Sequence, residues 1–209
     1  MTLRISQIDG SNIADHARLR ADDTCLYIFE YTSRRNYTFS QTNNLINNLK
    51  KKPSSSAAQL GYKRQAISNC AGYFRDTLNA GWLATATLVP VPGSKAPGHP
   101  DYDDRMAQVC AQIASGLDVR AMVRQTASTT ASHEAGESGD RVTVEELLAV
   151  YELDETIATP LPATIAIVDD VLTAGTHYRA MHTVLSARFP GVPIYGLFIA
   201  RRVFPPEDF

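Results

Sequence analysis

At 209 residues and 44% hydrophobic content, the chain has the length of one α/β domain with an appended subdomain, and enough apolar material for a core. Its 20 basic and 22 acidic side chains leave a net charge of −2, so there is no general attraction to nucleic acid or an anionic membrane, and any anion site must come from local placement of charge. No apolar run approaches the roughly 18 residues of a membrane span, the N-terminus lacks a signal-peptide core, and Cys25, Cys70 and Cys110 stand in isolated apolar contexts without metal spacing, which together predict a cytoplasmic protein with reduced thiols.

In chain order, Leu3 and Ile5 can begin a strand, and Cys25, Tyr27, Phe29 and Tyr31 alternate with Leu26, Ile28 and Glu30 as a strand does. After a polar turn, Thr42 can cap a helix carrying Leu45, Ile46 and Leu49 on one face. Lys50, Lys51 and Lys52 suit the negative end of that helix, and Pro53 follows. Leu60, Ile67, Cys70 or Ala71, Phe74 and Leu78 keep helical spacing, with Gly81 as the expected stop. Residues 84–92 read as a second buried strand running into Gly93, Ser94, Lys95 and a loop rich in Pro and Gly. Asp103 and Asp104 sit where they can cap a helix with Met106, Val109, Cys110 and Ile113 turned inward. Residues 117–123 form a short strand or helix and bring Arg120 and Arg124. Residues 125–140 are small and polar with no apolar period, which fits a disordered link or a mobile functional loop. Thr143 and Glu146 have capping-box spacing ahead of a short helix. A strand from Ile165, a helix through Tyr178, Met181 and Leu185, and a last strand over residues 192–200 complete the pattern. Helices between buried strands predict an α/β fold: a central, mainly parallel sheet flanked by helices, with ligand sites at the strand C-termini. The chain divides into residues 1–80, an N-terminal α+β extension, and residues 81–209, the core.

The informative stretch runs from Ile165 to Thr176. An apolar strand delivers Asp169 and Asp170 to its C-terminal end, and a turn of small and hydroxyl residues then opens a helix. Free N–H groups at a helix start suit a phosphate, while carboxylates accept from sugar hydroxyls or bind a metal. A phosphorylated sugar is the ligand class expected. Neither a P-loop nor a G-x-G-x-x-G fingerprint occurs. A receiver domain would place its acidic pair near its start, with several strands still to come.

Apolar residues, two acids, two apolar residues and a Thr/Gly loop resemble the phosphoribosyl-pyrophosphate signature of type I phosphoribosyltransferases. The loop after residues 89–92 and the downstream arginines resemble most closely the ComF-like branch. The resemblance implies that Asp169 and Asp170 hold the ribose hydroxyls and that Thr173, Ala174, Gly175, Thr176 and His177 cradle the 5-phosphate. It places Pro92, Ser94 and Lys95 on the pyrophosphate, with Arg105 and Arg124 as helpers and Lys95, Asp169 and Asp170 as the catalytic set. Magnesium is the implied cofactor, carried on the pyrophosphate. His177 departs from the pattern, since the family usually has Ser or Thr there.

The implied reaction is transfer of ribose 5-phosphate to a nitrogenous base with release of pyrophosphate. Phosphoribosyl pyrophosphate or a nucleoside monophosphate is then the ligand, and a homodimer is a common expectation. Base recognition falls to a hood built by the first 80 residues, where Tyr27, Phe29 or Tyr31 stack on the base or belong to the core. The loop over residues 125–140, with His133 and Glu134, is the candidate lid. The alternative function is a non-catalytic sensor of nucleotide or phosphoribosyl pyrophosphate, associated with a DNA-related process.

Overall fold

The structure, a computed structural model, describes residues 3–129 and 142–205. The first part of the chain forms β1 (Ser6–Gln7), β2 (Thr24–Thr32), α1 (Gln41–Leu49), α2 (Ala57–Thr77), α3 (Ala80–Leu83), β3 (Thr87–Pro90) and α4 (Arg105–Ile113). Then come β4 (Asp118–Val119), β5 (Val123–Gln125), α5 (Val144–Val150), β6 (Tyr151–Leu153), β7 (Ile165–Leu172), α6 (Thr176–Arg188) and β8 (Ile194–Val203). Six strands make one sheet in the order β1-β2-β8-β7-β3-β4, and every pairing in it is parallel except β1 with β2. β5 and β6 form a separate antiparallel pair.

The alternation of side chains along β7 explains how helices cover both faces. Ile165 and Ile167 join Leu147, Tyr178, Met181 and Leu185 in one apolar cluster. Ala166 and Val168 join Ile46, Phe74 and Met106 in the other. All four strand residues are fully buried, and each large aliphatic side chain so placed contributes about 1.5–3 kcal/mol. α5 and α6 therefore lie on one face, and α1, α2 and α4 on the opposite one. Among the described residues, no helix is long and apolar enough to cross a membrane.

Several local expectations are corrected. Strand β1 starts at Ser6, after Leu3 and Ile5. Ser40, rather than Thr42, caps α1, because its hydroxyl accepts the Asn43 N–H at 3.0 Å. α2 ends at Thr77 with Leu78 extended, so Gly81 is no stop; Asn79 caps α3, and Gly81 lies inside that helix. Asp104 is the N-cap residue of α4 but makes no side-chain cap bond there. The Arg105 N–H is taken instead by Asp103 at 3.1 Å. Residues 117–123 divide between two sheets, as β4 and the start of β5.

Residues 3–80 do not stand apart from the sheet. β2 pairs with β8 from Thr24 opposite Tyr195 to Thr32 opposite Val203, and α1 and α2 pack on the face of that same sheet. Phe29 meets Tyr73 edge-on at 5.0 Å between ring centres, which places it among packed side chains. Tyr27 lies beneath Arg201, with the guanidinium carbon 5.4 Å from the ring centre. The expected lid falls mostly outside the described residues, including His133 and Glu134. Its first part, residues 125–129, returns to the loop after β3, where Thr129 N–H and the Gln125 amide both donate to the Ser94 carbonyl.

Candidate functional site

Parallel pairing decides which loops share an edge. Pro90 of β3 faces Val168 of β7, and the Val91 N–H reaches the Val168 carbonyl at 2.9 Å. The Pro92–Lys95 loop and the Asp169–His177 segment therefore leave neighbouring strands in the same direction. This C-terminal edge is where an open parallel sheet ordinarily receives ligands.

The two acids are not equivalent, because successive strand residues point to opposite faces. Asp170 turns toward α1 and α4. Its Oδ1 lies 3.0 Å from Lys50 Nζ, and its Oδ2 accepts from Arg105 Nη2 at 2.7 Å and Nε at 3.1 Å. Arg105 continues to Asp103 at 2.9 Å, and Asp103 to Lys63 at 2.7 Å, while Lys63 also donates to the Lys51 carbonyl. Cations and carboxylates thus alternate through the space between α1, α2 and α4. Burial opposes ionisation of Asp170, but Lys50 and Arg105 overcome it and hold its carboxyl well below the usual carboxylate range.

Asp169, half-buried on the other face, accepts the Asp170 N–H at 2.8 Å. Burial, then the neighbouring Asp170 charge, pushes its carboxyl well above the ordinary range. The two carboxylates expected to hold ribose hydroxyls thus sit in different surroundings: Asp170 is paired with two cations, and Asp169 lines the turn.

The turn itself is built by Gly175, whose φ of 86° suits the left-handed region. It is also tightly packed, since a Cβ there would lie 3.1 Å from Leu19 Cδ2. A strap formed by the N-terminal segment holds the turn from behind. The His16 imidazole bonds the Thr173 carbonyl, the Arg18 N–H reaches the Ala174 carbonyl at 2.8 Å, and Arg179 binds both the Arg18 carbonyl and Asp23. The N–H groups of Gly175, Thr176 and His177 donate to no partner among the described residues. The small hollow bordered by Asp169, Thr173, Thr176 and His177 measures only about 10 Å³. That is room for a single water molecule, so a phosphate must seat above the turn or displace part of it.

His177 bonds Tyr151 through Nδ1 at 2.9 Å. Burial pushes its imidazole down to about 4, which keeps it neutral near pH 7 and removes the cationic contact that a charged imidazole would give a phosphate.

Beside this edge, a cleft of about 180 Å³ is bordered by Pro92, Gly93, Lys95, Asp104, Arg124 and Gln125. Lys95 Nζ lies 3.5 Å from the Thr129 carbonyl, and Arg124 reaches across to Asp154 from a largely exposed position. Lys95 and Arg124 thus share the cleft, whereas Arg105 is engaged with Asp170 and Asp103. Ser94 contributes its carbonyl to the link with residues 125–129. No group of three or more Asp, Glu, His or Cys side chains converges as a metal site among the described residues.

Three participants lie outside the expected set. Lys50 reads locally as a helix-end charge, His16 sits in a segment without pattern, and Tyr151 follows a short helix with nothing to single it out. Their roles depend on contacts with residues distant in the chain. No protein-family model matches this sequence, and no curated protein matches it either.

Proposed function

We propose that this protein binds phosphoribosyl pyrophosphate at the C-terminal edge of β3 and β7 and transfers its ribose 5-phosphate to a nitrogenous base. The observation that carries this reading is the β3–β7 pairing, which sets the Pro92–Lys95 loop beside the Asp169–His177 turn. The free N–H groups at the start of α6 suit the 5-phosphate, and Asp169 meets a ribose hydroxyl. Lys95 meets the pyrophosphate in the adjoining cleft. The bond from C1 to the pyrophosphate oxygen breaks, a bond from C1 to the base nitrogen forms, pyrophosphate departs with the bonding electrons, and a proton carried by that nitrogen passes to solvent or to the departing pyrophosphate. Positioning and stabilisation of charge supply the catalysis, so no nucleophilic side chain is needed.

Magnesium fits this site as an ion carried on the pyrophosphate, where it screens the anion's charge. A cage of protein carboxylates does not fit, because Asp170 is already neutralised by Lys50 and Arg105. The second reading, a sensor that binds the donor without turnover, is favoured by that same sequestration and by the small hollow at the turn.

The test mixes the protein with donor, magnesium and a panel of bases and measures pyrophosphate release. Turnover with one base supports the transferase, and saturable donor binding without turnover supports the sensor. Lys95→Ala should lower turnover more than nucleoside monophosphate binding. A protein that neither binds nor is stabilised by donor or any monophosphate refutes both readings.

A further inference from the structure

We infer that Tyr151 is a positioning residue that fixes His177 as a neutral imidazole protonated on Nε2, converting it into the phosphate donor that a hydroxyl supplies elsewhere. The inference rests on the reading of the α6 turn as a phosphate cradle. It begins from hydrogen-bond accounting. Tyr151 is only 8% exposed, and its hydroxyl has His177 Nδ1, at 2.9 Å, as its single hydrogen-bond partner among the described residues. A buried hydroxyl hydrogen needs an acceptor, and among the described residues the one its hydroxyl meets is Nδ1. The phenol therefore donates, Nδ1 keeps its lone pair, and the ring proton of the neutral imidazole must reside on Nε2.

That second nitrogen is available. Nε2 makes no hydrogen bond among the described residues and is not sealed from solvent as the buried His16 Nε2 is. His177 is half-buried, is the second residue of α6, and borders the hollow with Asp169 and Thr176. The ring borders the same hollow as the turn with its unpaired backbone donors, and a phosphoryl oxygen is the acceptor that such a set of donors suits. Burial is the largest influence on this ring and keeps it neutral; Asp170 favours the charged form, while Lys50 and Arg105 oppose it. The contact is thus a neutral donor fixed in direction, like the serine or threonine hydroxyl of the related pattern but longer in reach. Tyr151 reaches this position because it closes α5 and opens β6, and both elements pack against α6.

The experiment reads the tautomer directly. Two-bond ¹⁵N–¹H spectra of the full chain labelled at histidine, with His177 assigned from a His177→Gln variant, should show the Nε2–H pattern and hold it from pH 8 to pH 5.5. Tyr151→Phe should convert the signal to a mixture and weaken ribose 5-phosphate binding by roughly tenfold. His177→Ser in the Tyr151→Phe background should recover binding, which also distinguishes lost tautomer control from lost folding. An Nδ1–H pattern in the unaltered protein, or a pattern indifferent to Tyr151→Phe, overturns the inference. A correct tautomer whose signal moves with neither ribose 5-phosphate nor inorganic phosphate overturns the donor role and locates the failure in the phosphate-cradle reading.

Discussion

Lys50, at the C-terminal end of α1, places its ammonium 3.0 Å from a carboxylate oxygen of Asp170, at the C-terminal edge of β7. The contact joins the N-terminal part of the chain to the candidate site, and Arg105 completes it from α4. Asp170 is thereby held ionised below the usual carboxylate range, while burial and the Asp170 charge make its neighbour Asp169 keep its proton above that range.

Asp170→Asn should destabilise the fold by about 3 kcal/mol, because it leaves Arg105 and Lys50 without their shared counter-charge. Lys50→Met should cost clearly less, since Arg105 still holds the carboxylate. Denaturant unfolding of both variants checks the order, and equal losses would contradict the arrangement.

His177 gives a stability that depends on pH. In the unfolded chain the ring takes up a proton near its ordinary value of 6.5, whereas in the fold it stays neutral down to about 4. Protons therefore favour the unfolded state in that window, and stability is lost as pH falls through it. His177→Gln should gain on the unaltered protein by up to about 3 kcal/mol between pH 6.5 and pH 4, as denaturant unfolding at both pH values would show.

Asp169 works in the opposite direction. Its carboxyl keeps a proton in the fold to a higher pH than in the unfolded chain, so its contribution falls as pH rises above the ordinary carboxylate range. Asp169→Asn should thus gain on the unaltered protein as pH rises from 4 to about 8. Thermal unfolding across that range gives the sign, and a flat difference would count against the shift.

Gly175→Ala places a methyl group against Leu19 at a φ that only glycine adopts freely. The loss should be about 2 kcal/mol, combining left-handed strain with the clash. Leu19→Ala in the same chain should recover the part due to contact, which a double-mutant cycle measures.

Gly93→Ala meets a backbone atom instead, with a Cβ only 2.6 Å from the Asp103 carbonyl oxygen. The loop after β3 must then move away from the start of α4. Under the proposed function, donor binding should fall by roughly tenfold or more as Lys95 is displaced, and calorimetry with phosphoribosyl pyrophosphate tests this.

The sheet was readable because a run such as Ile165–Val168 admits few uses other than a strand buried on both faces. The capping box at Thr143 and Glu146 was readable because both of its bonds are local. Alternation along β2 announced a strand but carried no information about its partner, which lies at the far end of the chain. Adjacent acids signalled an unusual strand end, yet their separate fates follow from what α1 and α4 place opposite Asp170. The Asp103 side chain, read as a helix cap, is also held by Arg105 and Lys63.

The pairing of β2 with β8 also bears on how the protein is made. Cys25 and Ile28 emerge early in synthesis, but the strand that covers one edge of β2 is completed only at Val203. Contacts this distant carry a large loop-closure cost, so β2 gains its β8 partner late in folding. The sheet edge that carries the β7 turn is therefore flanked by β2 only after β8 has formed between them.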